Sequence, residues 1–321
     1  MFENSRPKGT LLAVFVATAL ATALAGACSS EEEGAPGTST DAAVAPDTTT
    51  NRPVETDAAG PVVTSDAGDS GTTSDGEAGT DPCAGRKVCD GFEGATAGGA
   101  PSAPWKVEVS GAGTVSISTT RAFAGSKSVK ITTPTAAYQK AFLVTNGAPL
   151  FPAAAGSMYG RMMVWLEGAT QAAGNNVHWT LIQASGPVPN ETNVNAFYRW
   201  GGQSQPGTPP NDIMANYDSS GKASDCWDHS KTKTPLNKWA CWSWKFVGPT
   251  NELQLAIDGV DVADAHVVNK GEGCISRGLL DVWAAPTFTK ASLGWESYQQ
   301  DPGHTMYIDD VILDDKPVAC P

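Results

Sequence analysis

Residues 29–82 contain no tryptophan, tyrosine or phenylalanine. A segment with so little apolar surface cannot offset the entropy of ordering, so it is expected to be disordered. It is also nearly without positive charge: twelve acidic residues face one basic residue, Arg52. Much of the net charge of −13 therefore sits in this segment. Such charge extends a linker and excludes nucleic acid as a partner. Other absences narrow the chemistry. No stretch of the remaining chain sustains a helical period. No Gly-x-Ser-x-Gly elbow, phosphate loop or dinucleotide fingerprint occurs. No strand carries the carboxylate triplet Glu-x-Asp-x-x-Glu, and Glu167 and Glu296 are isolated, so the paired carboxyls of glycoside hydrolysis are missing. Asp309 and Asp310 are adjacent and would point to opposite faces of a strand. No cysteine pair has C-x2-C spacing and no histidine follows a cysteine at finger spacing, which argues against structural zinc.

What is present begins with an export signal. Arg6 and Lys8 form a short positive region, and residues 11–24 are apolar and uncharged. That run is short for a membrane span of about 20 residues. Ala25, Gly26 and Ala27 then precede Cys28. This resembles the lipobox of bacterial lipoproteins, in which the cysteine thiol receives a diacylglycerol. The signal peptide would be residues 1–27, the acidic Ser/Thr/Gly/Pro-rich tether residues 28–82, and the membrane would be met through the lipid alone. Ala25 occupies the position where the lipobox usually has leucine. The alternative is an ordinary signal peptide cut near Ala25–Ala27. An exported chain anchored at the outer membrane or cell surface is the expectation.

All ten tryptophans and six of the seven cysteines lie in residues 83–321. Those six are Cys83, Cys89, Cys226, Cys241, Cys274 and Cys320. In an exported chain they predict three disulfides. Cys226 with Cys241 would close a local loop; the other four pairings stay open. This region is long enough for one domain with a large core. Short alternating segments recur between Gly, Pro, Asn and Asp, which predicts an all-β fold. Strands are expected at 114–118, 127–132, 159–166, 177–183, 196–200, 213–217, 239–247, 252–257, 260–262, 292–298 and 305–313. Asp258-Gly259 predicts a hairpin turn. In residues 253–257 the odd positions should face the core. So many strands in one domain imply a two-sheet antiparallel β-sandwich.

The order of several motifs carries a family resemblance. They are Phe92-Glu93-Gly94, Phe123-Ala124-Gly125-Ser126-Lys127, Trp239-Ala240-Cys241-Trp242-Ser243-Trp244, Ile257-Asp258-Gly259, Leu293-Gly294-Trp295-Glu296 and Tyr307-Ile308-Asp309-Asp310-Val311. Together they resemble the concanavalin-like jelly rolls of the fungal cellulose-induced protein and glucuronan lyase family, across nearly all of residues 83–321. The resemblance implies a structural calcium ion near Glu93, Ser126 and Asp309, tying the terminal strands together through carboxylate and loop oxygens. It also implies a groove for β-elimination of uronic-acid polymers. Gln183 and Arg199 would bind the carboxylate, His178 would act as base and Tyr298 as acid. His178 and Gln183 are five apart, so they share a face only if a bulge intervenes. Tyr198 and Arg199 would face oppositely. Ser243 would replace an acidic groove residue of the relatives.

The residues leave three functions open. The first is a polysaccharide-binding protein with at most weak lyase activity, acting as a monomer. Trp200, Trp227, Trp283 and Tyr217 would supply sugar platforms, with residues 200–205 as a groove rim and Trp242 and Trp244 facing the core. The second is an active lyase of acidic polysaccharides. The third is a structural or adhesion lipoprotein without a sugar ligand.

Overall fold

The computed structural model describes residues 81–153, 156–168, 176–206, 212–220, 224–275 and 282–321. The signal segment, Cys28 and the tether up to residue 80 lie outside the described residues. In chain order the strands are β1 (Val88–Asp90), β2 (Lys106–Ser110), β3 (Thr114–Ser118), β4 (Ser128–Thr133), β5 (Lys140–Thr145) and β6 (Ser157–Glu167). Then come β7 (Val177–Pro187), β8 (Asn195–Ser204), β9 (Asp212–Ser220), β10 (Ser224–Lys233), β11 (Trp239–Val247) and β12 (Glu252–Ile257). The last are β13 (Val260–Asp261), β14 (Val267–Val268), β15 (Gly273–Ile275), β16 (Lys290–Ser297) and β17 (His304–Asp314). No α-helix occurs among the described residues.

These strands build two antiparallel sheets, the jelly-roll sandwich expected. The back sheet runs β13-β12-β11-β6-β17-β4-β3, with β1 on β17 and β14 on β12. The groove sheet runs β15-β10-β9-β8-β7-β16-β5-β2. Alternation decides the core. Leu253, Leu255 and Ile257 point inward and are buried, while Gln254 and Ala256 are half-exposed. Trp242 and Trp244 flank Ser243 and are buried, as expected. Asp258 and Gly259 both have positive φ, 50° and 76°, the twist that matches a tight hairpin between β12 and β13. Trp179 of β7 stacks on Trp295 of β16 at 4.9 Å between centroids.

Three expected platforms are core residues instead. Trp200, Tyr217 and Trp283 are fully buried, and Tyr217 stacks on Trp283. Residues 200–204 are not a rim loop, because β8 continues through Gly201 and Gly202. The short strands β1, β2, β14 and β15 and the longer β5 and β10 were not expected. Residues 140–145 form an unalternating apolar run, and residues 224–233 mix charge with aromatics, so neither shows a period of two.

The three disulfides are Cys83–Cys89, Cys226–Cys274 and Cys241–Cys320. The pairing of Cys226 with Cys241 is thus corrected. Cys226 lies in the groove sheet and Cys241 in the back sheet, so their sequence proximity does not bring them together. Cys226 instead faces Cys274 in register across β10 and β15. Cys241 reaches the C-terminal Cys320, 79 residues away. In the chain-entropy view a longer loop stabilises more. Replacing both Cys241 and Cys320 by serine is therefore expected to cost about 2–4 kcal/mol in denaturant unfolding. Replacing Cys83 and Cys89, only six apart, should cost less. A larger loss for the short loop would contradict this account.

Candidate functional site

A bulge in β7 builds the site. Against β8, Trp179 pairs with Gly202 and Thr180 with Gly201, yet Ile182 pairs with Trp200. Leu181 is the extra residue. It reverses the alternation, so His178, Thr180 and Gln183 all face outward, while Trp179 and Ile182 face the core. The two glycines of β8 permit this. A Cβ on Gly201 would stand 1.9 Å from the carbonyl oxygen of Trp179, and one on Gly202 would meet the Trp179 ring at 2.3 Å.

Arg199 of β8 pairs with Gln183 and shares its face. Its Nε donates to Gln183 Oε1 at 2.7 Å. Its Nη1 donates to Asn216 Oδ1 and Asp218 Oδ2, each at 3.0 Å. Nη2 has no hydrogen-bond partner among the described residues. Phe197 lies under the guanidinium at 4.8 Å and the Tyr298 ring stands at 5.8 Å. Burial works against the charge, but Tyr298, Asp218 and Glu296 outweigh it and the net shift is upward. Tyr198, the neighbour of Arg199, faces the core, where its hydroxyl donates to the Trp283 carbonyl at 2.6 Å.

Tyr298 follows β16 and is clamped to β7. Its amide donates to the His178 carbonyl, and the His178 amide donates to Gln299 Oε1. The phenol lies 2.9 Å from Thr180 Oγ1 and donates to Glu296 Oε2 at 3.2 Å. Burial pushes the phenol pKa up despite Arg199, so the proton stays on. Burial also pushes the His178 imidazole down, with Asp225 opposing and His229 reinforcing, so the neutral form prevails at neutral pH.

His178, Thr180, Arg199, Asn216, Asp218 and Tyr298 line one cavity of about 220 Å³. Gln183 sits one hydrogen bond behind it, on Arg199. All four residues expected for β-elimination thus gather at one place. A second cavity of about 360 Å³ continues the groove toward β15. It shares His178, Met214, Asn216 and Asp225 with the first and adds Gln203, Gln205, Trp227, His229 and Ile275. Trp227 is the one expected platform that remains beside the groove. Asn216, Asp218, Asp225 and His229 were missed. Their only sequence signal is alternation with the core residues Ala215, Tyr217 and Cys226. Ser243 is corrected: it lies on β11 of the back sheet, beside Tyr159 and Lys245, and is no part of this groove.

The residues expected to hold calcium form hydrogen bonds. Glu93 Oε1 accepts from the amides of Ser126 and Lys127, and Oε2 accepts from the Ser126 hydroxyl. These donors hold its pKa down. A Cβ on Gly125 would collide with the same carboxylate at 2.5 Å. Asp309 Oδ2 accepts from the amides of Phe123 and Ala124, and Oδ1 from that of Asp310. Calcium requires six to eight oxygens. Here three donors occupy each carboxylate, which has about four lone-pair sites. The Lys127 ammonium also sits on the Glu93 and Ala95 carbonyls. Among the described residues no three acidic, histidine or cysteine side chains cluster for a metal. This donor set serves loop-to-strand hydrogen bonding and leaves about one lone-pair site on each carboxylate.

The solved structure of cellulose-induced protein Cip1 matches with 23% identity and a TM-score of 0.53, over 73% of this chain and 100% of that one. An endo-β-1,4-glucuronan lyase from the fungus Trichoderma reesei matches with 12% identity and a TM-score of 0.44, over 68% of this chain and 93% of that one. The alginate lyase AlyC3 matches with 10% identity and a TM-score of 0.37, over 58% and 74%. No curated protein matches. The model of the Cip1-like core domain, in the polysaccharide lyase-like group, matches residues 92–316. The chain therefore belongs to the Cip1-like polysaccharide lyase-like family.

Proposed function

We propose that the groove sheet binds a uronate-bearing polysaccharide, with the carboxylate received by Arg199. One observation carries this reading. Gln183, Asn216 and Asp218 hold two nitrogens of the guanidinium and leave Nη2, on a side chain that lines the cavity, for a ligand. A guanidinium locked in this way loses little freedom on binding, and its planar fork suits a carboxylate. Trp227 offers an apolar surface to a neighbouring sugar ring. Arg199→Lys keeps the charge but loses the fork, and should weaken retention on an acidic polysaccharide about tenfold or more. Trp227→Ala should weaken it similarly, about tenfold. Affinity electrophoresis, with circular dichroism to verify folding, reads both. Unchanged retention in both folded variants would remove the groove as the binding site.

A second reading is β-elimination, favoured by the neutral His178 and the protonated Tyr298. His178 would take the proton from the carbon beside the carboxylate. The bond from the adjacent carbon to the glycosidic oxygen would break, a carbon–carbon double bond would form, and Tyr298 would protonate the leaving oxygen. Arg199 would hold the carboxylate charge that builds up. An unsaturated product absorbing in the ultraviolet is expected from uronate polymers. Because His178 acts in its neutral form, the rate should fall on acidification with a midpoint below the ordinary 6.5. A flat absorbance on every uronate polymer, alongside clear retention, would leave binding without catalysis.

We also propose that the protein is exported and anchored by a lipid on Cys28, displaying the domain as a monomer on its acidic tether. The charge-free run of residues 11–24 and the small residues before Cys28 support this. Mass spectrometry of the mature N-terminus should find a diacylated Cys28. An unmodified terminus would remove the anchor and leave secretion.

A further inference from the structure

The charges along the groove do not suit a polymer that carries a carboxylate on every sugar. Among the described residues lining the two cavities Arg199 is the one lysine or arginine, and Asp218 already pairs with it at 3.0 Å. Asp225 lines both cavities, is exposed, and takes its hydrogen bond from the neutral Asn216 amide. At the second cavity the ring nitrogens of His229 meet Gln203 Oε1 and the Glu272 carboxylate. Even a protonated His229 would therefore be matched by Glu272. At the other end Lys140 stands in register with Glu296, which accepts from Tyr298. Among the described residues, Arg199 and His229 thus each bond a carboxylate and Lys140 faces Glu296 in register, and Asp225 adds a negative charge between the two cavities.

The second cavity differs from the first in kind. Trp227, Met214 and Ile275 give it an apolar wall, and Gln203 and Asp225 supply polar atoms. Apolar surface with a few amide and carboxylate acceptors suits a neutral pyranose, whose ring faces are apolar and whose hydroxyls donate. A uronate there would meet Asp225 with no free lysine or arginine among the described residues to balance it.

We propose that the groove selects a heteropolysaccharide in which a single uronate, held by Arg199, is flanked by an uncharged sugar seated against Trp227. This rests on the reading of Arg199 as the carboxylate receptor and narrows its substrate class. Asp225 is the specificity-determining residue, acting against a second adjacent carboxylate.

The test compares three soluble polymers by isothermal titration with the mature chain. They are deacylated gellan, with one uronate per repeat among neutral sugars, polyglucuronate, and a neutral β-glucan. Gellan should bind most tightly, by about fivefold or more over polyglucuronate at low ionic strength. Added salt should raise the affinity for polyglucuronate, because it screens repulsion. Asp225→Asn should narrow the gap between gellan and polyglucuronate by about fivefold. A preference for polyglucuronate that weakens with salt would overturn this selectivity and leave Arg199 as carboxylate receptor. Binding of the neutral glucan alone, or of none of the three, would overturn both.

Discussion

A guanidinium stays buried and charged only where acceptors offset its lost hydration. Arg199 meets that demand with Gln183 from one neighbouring strand and Asn216 and Asp218 from the other. Three strands of the groove sheet are thereby tied together on their outer face. Gln183 can take part only because Leu181 is an extra residue in β7. The bulge in turn needs Gly201 and Gly202, since any side chain there would strike the backbone or ring of Trp179. Remove the bulge, and Gln183 turns inward, Arg199 loses its Nε acceptor, and His178 and Gln183 separate onto opposite faces. The packing of the core obeys the same constraint, because Trp179 is held against Trp295 on the inner side of the shifted segment.

The site shows how burial sets protonation states before any ligand arrives. His178 and Tyr298 are both shifted toward their neutral forms by burial. Arg199 keeps its charge in the same surroundings because the Asp218 and Glu296 carboxylates face it and Gln183 and Asn216 accept its hydrogen bonds. A neutral base, a protonated acid and a fixed cation beside one cavity are the components that proton abstraction next to a carboxylate requires. The same cation serves plain binding equally well. The acids around it, Asp218 and Asp225 above all, favour a ligand with sparse negative charge.

Hydrogen bonds join the two ends of the domain at the residues expected to hold an ion. The loop of residues 123–127 lies between Glu93 and Asp309 and offers its amides to both. Lys127 brings a positive charge to the carbonyls of Glu93 and Ala95. The terminal segments are closed further by Cys241–Cys320 and by the pairing of β1 with β17.

Alternation alone determined the inward faces of β11 and β12, the hairpin at Asp258-Gly259 and the two-sheet class, because a period of two is a local property of the chain. Motif order pointed to the family, and with it to His178, Gln183, Arg199 and Tyr298. Other features were out of reach. A bulge is set by the neighbouring strands, so nothing within residues 177–183 announces that the alternation reverses at Leu181. Trp200, Tyr217 and Trp283 looked like groove residues because glycines and amides surround them in sequence, yet strand direction sends them into the core. Disulfide partners depend on which sheet each cysteine joins, so Cys226 found Cys274 and left the nearer Cys241 to Cys320. The charge balance of the groove is likewise tertiary: Arg199, Asp218, Asp225 and His229 come from three strands, and only their assembly on one face determines what ligand charge the surface accepts.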